Sequence, residues 1–340
     1  METIVASSVC ICVHLWFHFA VTGTTIRYMQ AAVIVNAHAE SGIARFRWPR
    51  VAKMLTRRLG QVEVRFTGKA GDAAVLAHEL ASSGFDPVIA AGGDGTLNEV
   101  VNGLVSNQCD VRIGVLPIAS GGDFARTLGL GSLREAVETL AAGNCRKVDA
   151  IRTRFQCPDG PTERHFVNVA SIGLGGLVTL AVRDGWRFLP GSLRYLAACI
   201  PKLAAGCVYK VRLYLDDVET GTFGVTIVSL ANGRYQGGGI LIAPSAAIDD
   251  GLIHITLVEQ VSLAEVVRHL PMLYSGEIYT YPKVRHWQAK RVRVEAQSAA
   301  PLELDGEPVG TLPIDAEVLP QVLRLICPNP KTPSATMSVL

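Results

Sequence analysis

Four carboxylates in this chain stand beside glycine at what reads as the end of a strand. They are Asp94 in "AAGGDGTLNEVVNG" (residues 90–103), Asp123 in "LPIASGGDFARTLG" (116–129), and Asp305 and Glu307 in "LELDGEPVG" (302–310). A strand that feeds a glycine turn and then a helix leaves backbone N–H groups free at the C-terminal edge of a sheet. Open α/β folds bind ligands there, and anions in particular. Gly92, Gly93 and Gly95 would let phosphate oxygens come close to the main chain. The loop is neither a Walker A sequence, since no Gly-Lys-Ser/Thr follows, nor a GxGxxG fingerprint. Thr96, Leu97, Asn98 and Glu99 match a capping box, which predicts a helix starting at Thr96. Taken alone, "GDG" reads better as a tight turn in which Asp94 only caps; the neighbouring motifs shift the reading toward a phosphate site.

The elements that would hold these residues alternate. "AAVIVN" (31–36), "VEVRFT" (62–67), "PVIAA" (87–91) and "RIGVLP" (112–117) read as strands. "WPRVAKMLTRRLG", "GDAAVLAHELASSG", "TLNEVVNGLV", "GDFARTLG" and "SLREAVETLAAG" read as helices between and after them. Continuous apolar strands separated by amphipathic helices imply a parallel sheet covered on both faces, so residues 31–149 form an α/β domain. From residue 150 to 311 the pattern becomes half-buried strands, with helical interruptions near 192–205 and 262–274, which predicts a β-rich second domain. Residues 312–328 read as a terminal strand returning to the core, and 329–340 as a loose tail.

The chain has 340 residues, a net charge of only +2, and no basic cluster that stands out, which argues against nucleic acid as the main partner. None of its eight cysteines forms a CxxC pair or joins a histidine at metal spacing. They read as buried residues or free thiols of a reducing compartment. Residues 4–23 are almost uncharged and about as long as a membrane span of ~20 residues. We expect residues 1–30 to be an apolar extension from a start assigned too early, with Met29 near the first strand. A membrane anchor is the less favoured reading. His78, His254 and His269 fall in helical or strand patterns as structural residues, and His38 in a solvated loop.

Together these segments resemble the diacylglycerol kinase catalytic family, which includes sphingosine kinases and bacterial soluble lipid kinases. "GGDGTLNEVVNG" is similar to its signature, and "LPIASGGDFARTLG" to its second motif, LPxGTxNDFAR. "VDAIRT", "FVNVASIGLGG", "GGGILIAPSAAIDDGLIHI" and "LELDGE" follow in the family's order, so the resemblance spans about residues 31–327. It implies an α/β nucleotide-binding domain of NAD kinase and phosphofructokinase type joined to a β-sandwich domain. It also implies transfer of phosphate from ATP, with Mg²⁺, to a lipid hydroxyl. By position, Asn36, Thr67, Gly92 to Glu99, Ser120 and Asp123 would meet the nucleotide, and Asp94 the metal or its waters. Asp149 would join the same polar network. Glu307 corresponds to the general base, with Asp305 close enough to compete. A structural Mg²⁺ would use Ala247, Asp250 and Leu252, unless Asp249-Asp250-Gly251 is simply a hairpin turn.

The chain departs from the family pattern. Ala37 stands for a proline, Arg45 is the nearest basic residue to a missing lysine, and Ala119, Ser120 and Gly122 replace Gly, Thr and Asn. These departures keep two other readings open: a catalytically weak lipid-binding protein, or a kinase of a soluble hydroxyl. Residues 185–206 are either a lid suited to a membrane surface or an ordinary helix pair. The resemblance further implies a cytoplasmic enzyme in transient contact with the membrane that holds its lipid, and leaves a homodimer open.

Overall fold

The computed structural model describes residues 30–37, 43–118, 122–158, 160–184, 200–201 and 208–329. The first part alternates β1 (Ala32–Val35), α1 (Ile43–Leu59), β2 (Glu63–Phe66), α2 (Asp72–Ser82), β3 (Val88–Gly92), α3 (Asp94–Val105) and β4 (Arg112–Pro117). Then come the short helix α4 (Asp123–Thr127) and α5 (Leu133–Ala142). β1 pairs in parallel with β2 and β3, and β3 with β4. "AVIV" and "VIAAG" are buried along their whole length, as strands covered on both faces require.

Two helix starts differ from expectation. α1 begins at Ile43 and carries Pro49 inside it, rather than starting near that proline. Pro49 is exposed, so water can take the Arg45 carbonyl that the missing N–H leaves. α3 begins at Asp94, with Gly93 as an N-cap that makes no side-chain bond. The capping box does not form, because its two side chains are drawn elsewhere. Thr96 Oγ1 accepts from Asn36 Nδ2 at 3.1 Å, and Glu99 accepts from the Gly71 and Ala73 amides at the start of α2.

The second part holds β5 (Cys145–Cys157), β6 (Gly160–Phe166), β7 (Val169–Gly173), α6 (Leu174–Asp184), β8 (Tyr209–Leu215) and β9 (Val218–Ala231). It continues with β10 (Ile253–Glu259), α7 (Leu263–Arg268), α8 (Met272–Ser275), β11 (Val284–Ala289), β12 (Arg291–Ala296), β13 (Pro301–Leu304) and β14 (Glu307–Ile326). α6 is absent from the sequence reading, because its glycine pair Gly175-Gly176 breaks the apolar periodicity. Among the described residues, strand pairing closes a ring β9-β8-β12-β14-β13-β7 that returns to β9. The two sandwich layers thus share strands around one core, with Phe155, Phe166, Leu213, Leu230, Ile255 and Ile314 buried inside.

β14 joins the two parts. Its early residues pair antiparallel with β13, β12 and β5, and near its end Arg324 and Leu325 pair in parallel with β4. The pairing slips between Leu319 and Leu323, where the strand changes role. The four described cysteines, at 109, 145, 157 and 327, are free. Among the described residues no helix is long and apolar enough to cross a membrane. The leader, the 185–199 stretch and the tail fall outside the described residues.

Candidate active site

The parallel register brings the ends of β1, β3 and β4 side by side: Val35 is opposite Ala91, and Gly92 opposite Pro117. Asn36, Gly92 to Gly95 and Gly122 therefore lie along one edge. Thr67 follows β2 at the same edge, buried, with its amide on the Val35 carbonyl. Gly92 has no room for a side chain, since a Cβ there would come within 2.3 Å of Thr96 Oγ1. Ser120 and His38, both expected in these loops, lie outside the described residues.

Asp94 does cap a helix, but a neighbouring one. Its carboxylate accepts the amides of Asp123 at 2.9 Å and Phe124 at 3.1 Å, at the start of α4. Asp123 is buried in turn, accepting from Arg126 Nη1 at 2.6 Å and from the Gly238 amide at 2.8 Å. The chain Asp94, Asp123, Gly238 ties the two glycine loops to the β-rich part. Burial holds the Asp94 carboxyl well above the usual range, the Asp123 carboxylate pushes the same way, and the two amides oppose both.

The DGE turn arrives from the other side. Asp305 and Gly306 both have positive φ, 46° and 85°, a tight turn between β13 and β14. Asp305 is buried, and its two oxygens accept from Asn98 Nδ2 and the amides of Val167, Asn168 and Val169, all at 2.9–3.0 Å. Burial raises its carboxyl against the pull of those donors. Glu307, two residues on, is exposed and lies against the first turn of α3. A Cβ on Gly95 would fall 2.5 Å from Glu307 Oε1. The carboxylate thus occupies the space that a side chain at position 95 would fill.

Asp149 faces elsewhere. It accepts the Gln321 amide at 2.7 Å, inside the slip of β14, and the Gly251 amide at 2.8 Å in the Asp249-Asp250-Gly251 turn. It holds the strand where the two parts of the sheet meet. Asp250 bonds His254 Nε2 at 2.8 Å and the Leu252 amide at 3.0 Å. Ala247 is half-buried on the same loop. Among the described residues no group of three or more His, Cys, Asp or Glu is arranged to hold a metal.

Several residues of this junction escape a sequence reading. Asn102 donates to the His165 carbonyl and accepts the His165 amide, locking α3 to β6. Buried Glu303 accepts from the Thr179 hydroxyl of α6 at 2.6 Å. Its neighbours Leu302 and Leu304 face the sandwich core, so Glu303 points to the other side of β13, which α6 covers.

Two family profiles match this chain. The diacylglycerol kinase catalytic domain matches residues 30–153, and the YegS C-terminal NAD kinase beta sandwich-like domain matches residues 168–327. A protein of Chromohalobacter salexigens named "Probable lipid kinase YegS-like" is 34% identical over 78% of this chain and 84% of its own length. The chain belongs to the diacylglycerol kinase family of lipid kinases. The diacylglycerol kinase of Bacillus subtilis is 29% identical over 89% of this chain and 97% of that protein. A crystal structure of a diacylglycerol kinase from Bacillus anthracis, 22% identical, superposes on the fold with a TM-score of 0.66, covering 90% of this chain and 99% of that one. The expected architecture, an α/β catalytic domain with a C-terminal β-sandwich, holds.

Proposed function

We propose that this lipid kinase transfers the γ-phosphoryl group of ATP to the hydroxyl of a membrane lipid alcohol, with diacylglycerol as the acceptor class. The observation that carries the reading is Glu307 against Gly95. A carboxylate from the β-rich part stands at the N-terminus of the glycine-loop helix, where phosphate would be held. In the proposed reaction Glu307 takes the proton of the acceptor hydroxyl, which then attacks phosphorus. Glu307 suits that task better than Asp305, whose oxygens already accept four donors. Asn36 and Thr67 line the nucleotide side of the crevice, and the amides of Gly93 to Thr96, at the open first turn of α3, face the phosphates. Asp305, Asn98 and Asn102 keep the two parts in register, so that base and phosphate loop stay adjacent.

A divalent cation fits beside Asp94. Two carboxylates, Asp94 and Asp123, share this corner with Arg126, and each Asp94 oxygen keeps acceptor capacity beyond its one amide. Mg²⁺ bound there would neutralise triphosphate charge and polarise the transferred group. The set Ala247, Asp250 and Leu252 offers one carboxylate, which bridges His254 and the Leu252 amide, where the Asp94 corner offers two, and we assign no metal to it.

The test is transfer of labelled phosphate from Mg²⁺-ATP to diacylglycerol in detergent micelles, by wild type and Glu307→Gln. The variant should lose about 10²–10⁴-fold in kcat with ATP affinity unchanged. A Gln variant as fast as wild type removes Glu307 as base. A wild type that binds lipid but phosphorylates nothing in a lipid extract removes the enzyme. Transfer to a water-soluble acceptor without detergent moves the acceptor class instead.

A further inference from the structure

Glu303 is a buried carboxyl that the proposed reaction does not use. Its carboxyl receives donors from two separate elements. The Thr179 hydroxyl of α6 reaches Oε2 at 2.6 Å, and the Gly306 amide of the DGE turn is the second donor. α6 is a firm anchor, because its glycines let it lie directly on β13 and β7. A Cβ on Gly176 would fall 2.8 Å from the Pro301 backbone, and one on Gly175 2.0 Å from Ser171 Oγ. The link to α6 also survives either charge state of Glu303. Ionised, the carboxylate accepts from Thr179. Protonated, it donates to Thr179, whose own proton goes to the Gly175 carbonyl 3.1 Å away.

The turn needs such an anchor. Between β13 and β14 the chain reverses over Asp305 and Gly306, both with positive φ. Behind them the pairing is regular for Leu304 with Glu307 and Glu303 with Pro308, and then slips at Leu302. The amides of Val167, Asn168 and Val169 hold the first half of the turn through the Asp305 carboxylate. The second half is an exposed glycine with no Cβ, and the Asp305 side chain does not grip the peptide that joins them. Glu303 holds that peptide by its N–H. Glu307, whose Oε1 occupies the space beside Gly95, is the next residue.

We propose that Glu303 is a positioning residue for the base: by linking the Gly306 amide to Thr179 of α6, it sets where Glu307 stands against Gly95. The proposal rests on the reading of Glu307 as the base, and it extends the alignment of that base to α6. A base displaced by about 1 Å loses up to about a hundredfold in rate. Glu303 faces α6, so the loss falls on kcat and leaves KM alone.

The experiment compares the full chain with Glu303→Gln, Glu303→Leu and Thr179→Val. Turnover is read on Mg²⁺-ATP and detergent-dispersed diacylglycerol, and hydrogen exchange is read at the DGE turn. Glu303→Gln can make both links and should keep kcat within about twofold of wild type. Glu303→Leu makes neither, and should lower kcat about 10–100-fold with both KM values unchanged. Thr179→Val breaks one link and should fall between them. In a Glu307→Gln background, Glu303→Leu should cost nothing further, because no base is left to misplace. The Gly306 amide should exchange about tenfold faster in Glu303→Leu, while the amides of β7 and β9 exchange as in wild type. Gly306 is exposed, so water can take its amide and the variant should fold; if it does not, Thr179→Val carries the same test. Exchange is read without turnover. If wild type phosphorylates nothing, the kinase reading fails, while a faster Gly306 amide still supports the link and an unchanged one overturns it. An equal kcat loss from Glu303→Leu in both backgrounds, a loss in KM alone, or a Gln variant as slow as the Leu variant also overturns the proposal.

Discussion

Glu303 allows the junction to be tested through its proton. It is 8% exposed on β13, two residues before Asp305. Burial pushes its carboxyl up to about 7. The Thr179 hydroxyl and the Gly306 amide pull it down, and the carboxylates of Asp305 and Asp123 push it further up. Its ordinary value is 4.5. Between pH 4.5 and 7 the folded chain therefore holds a proton that the unfolded chain has released. Stability falls as pH rises through that window, and is flat with respect to this group above it. Two and a half pH units at about 1.4 kcal/mol each give about 3 kcal/mol. Glu303→Gln removes the proton but keeps an oxygen for Thr179 and Gly306. Its new amide also faces Ser171, directly opposite on β7, whose buried hydroxyl has no partner. Urea unfolding of both proteins from pH 4.5 to 8 isolates Glu303 and its coupling to Asp305, because the raised carboxyls of Asp94 and Asp149 contribute equally to both. The Gln variant should gain about 3 kcal/mol on wild type across the window, and no more beyond pH 8. A constant difference between the two proteins would mean that Glu303 ionises as in water, and that α6 does not seal this face.

Other substitutions separate braces from chemistry. Gly95→Ala puts a methyl where Glu307 Oε1 now sits, and should cut kcat at least tenfold, while thermal melting shows little change because a flexible side chain gives way. Asp305→Asn turns one acceptor oxygen into a donor facing N–H groups. It should cost about 3 kcal/mol in denaturant unfolding. Asp149→Ala strands the Gly251 and Gln321 amides and should cost about 2–4 kcal/mol, with kcat per folded molecule unchanged. A large kcat loss without a stability loss would return Asp149 to the catalytic set.

The strand, turn and helix around "GGDG" were legible because their periodicities are local. Buried "AVIV" and "VIAAG" could only be interior strands of a covered parallel sheet. What the sequence could not disclose is which partner each polar side chain finds. Thr96 and Glu99 have the spacing of a capping box, yet Asn36 and the α2 amides win them, because the amides at the start of α2 need an acceptor whereas the N-terminus of α3 opens on the crevice. Asp149 and Asp250 carried the family's positions, but the slip in β14 that claims Asp149 is set by pairing with a strand over 150 residues away in sequence. Glu303 sat in plain view in "LELDGE", and only α6 makes it buried.

The carboxylates of this junction divide by what their oxygens receive. Asp305 and Asp149 accept backbone amides in buried positions: Asp305 ties the DGE turn to the start of β7, and Asp149 holds the slip of β14 where the two parts of the sheet meet. Asp94 bridges two loops that meet only because β3 and β4 are neighbours. The Asp305 bonds fix the turn that carries Glu307, and the Asp94 bonds hold the helix start that faces it. The contact at Gly95 therefore depends on these two carboxylates. Glu307 is exposed, and the backbone turn that carries it is fixed by the buried amide bonds of Asp305. Loss of Asp305 or Asp149 should therefore register first as instability.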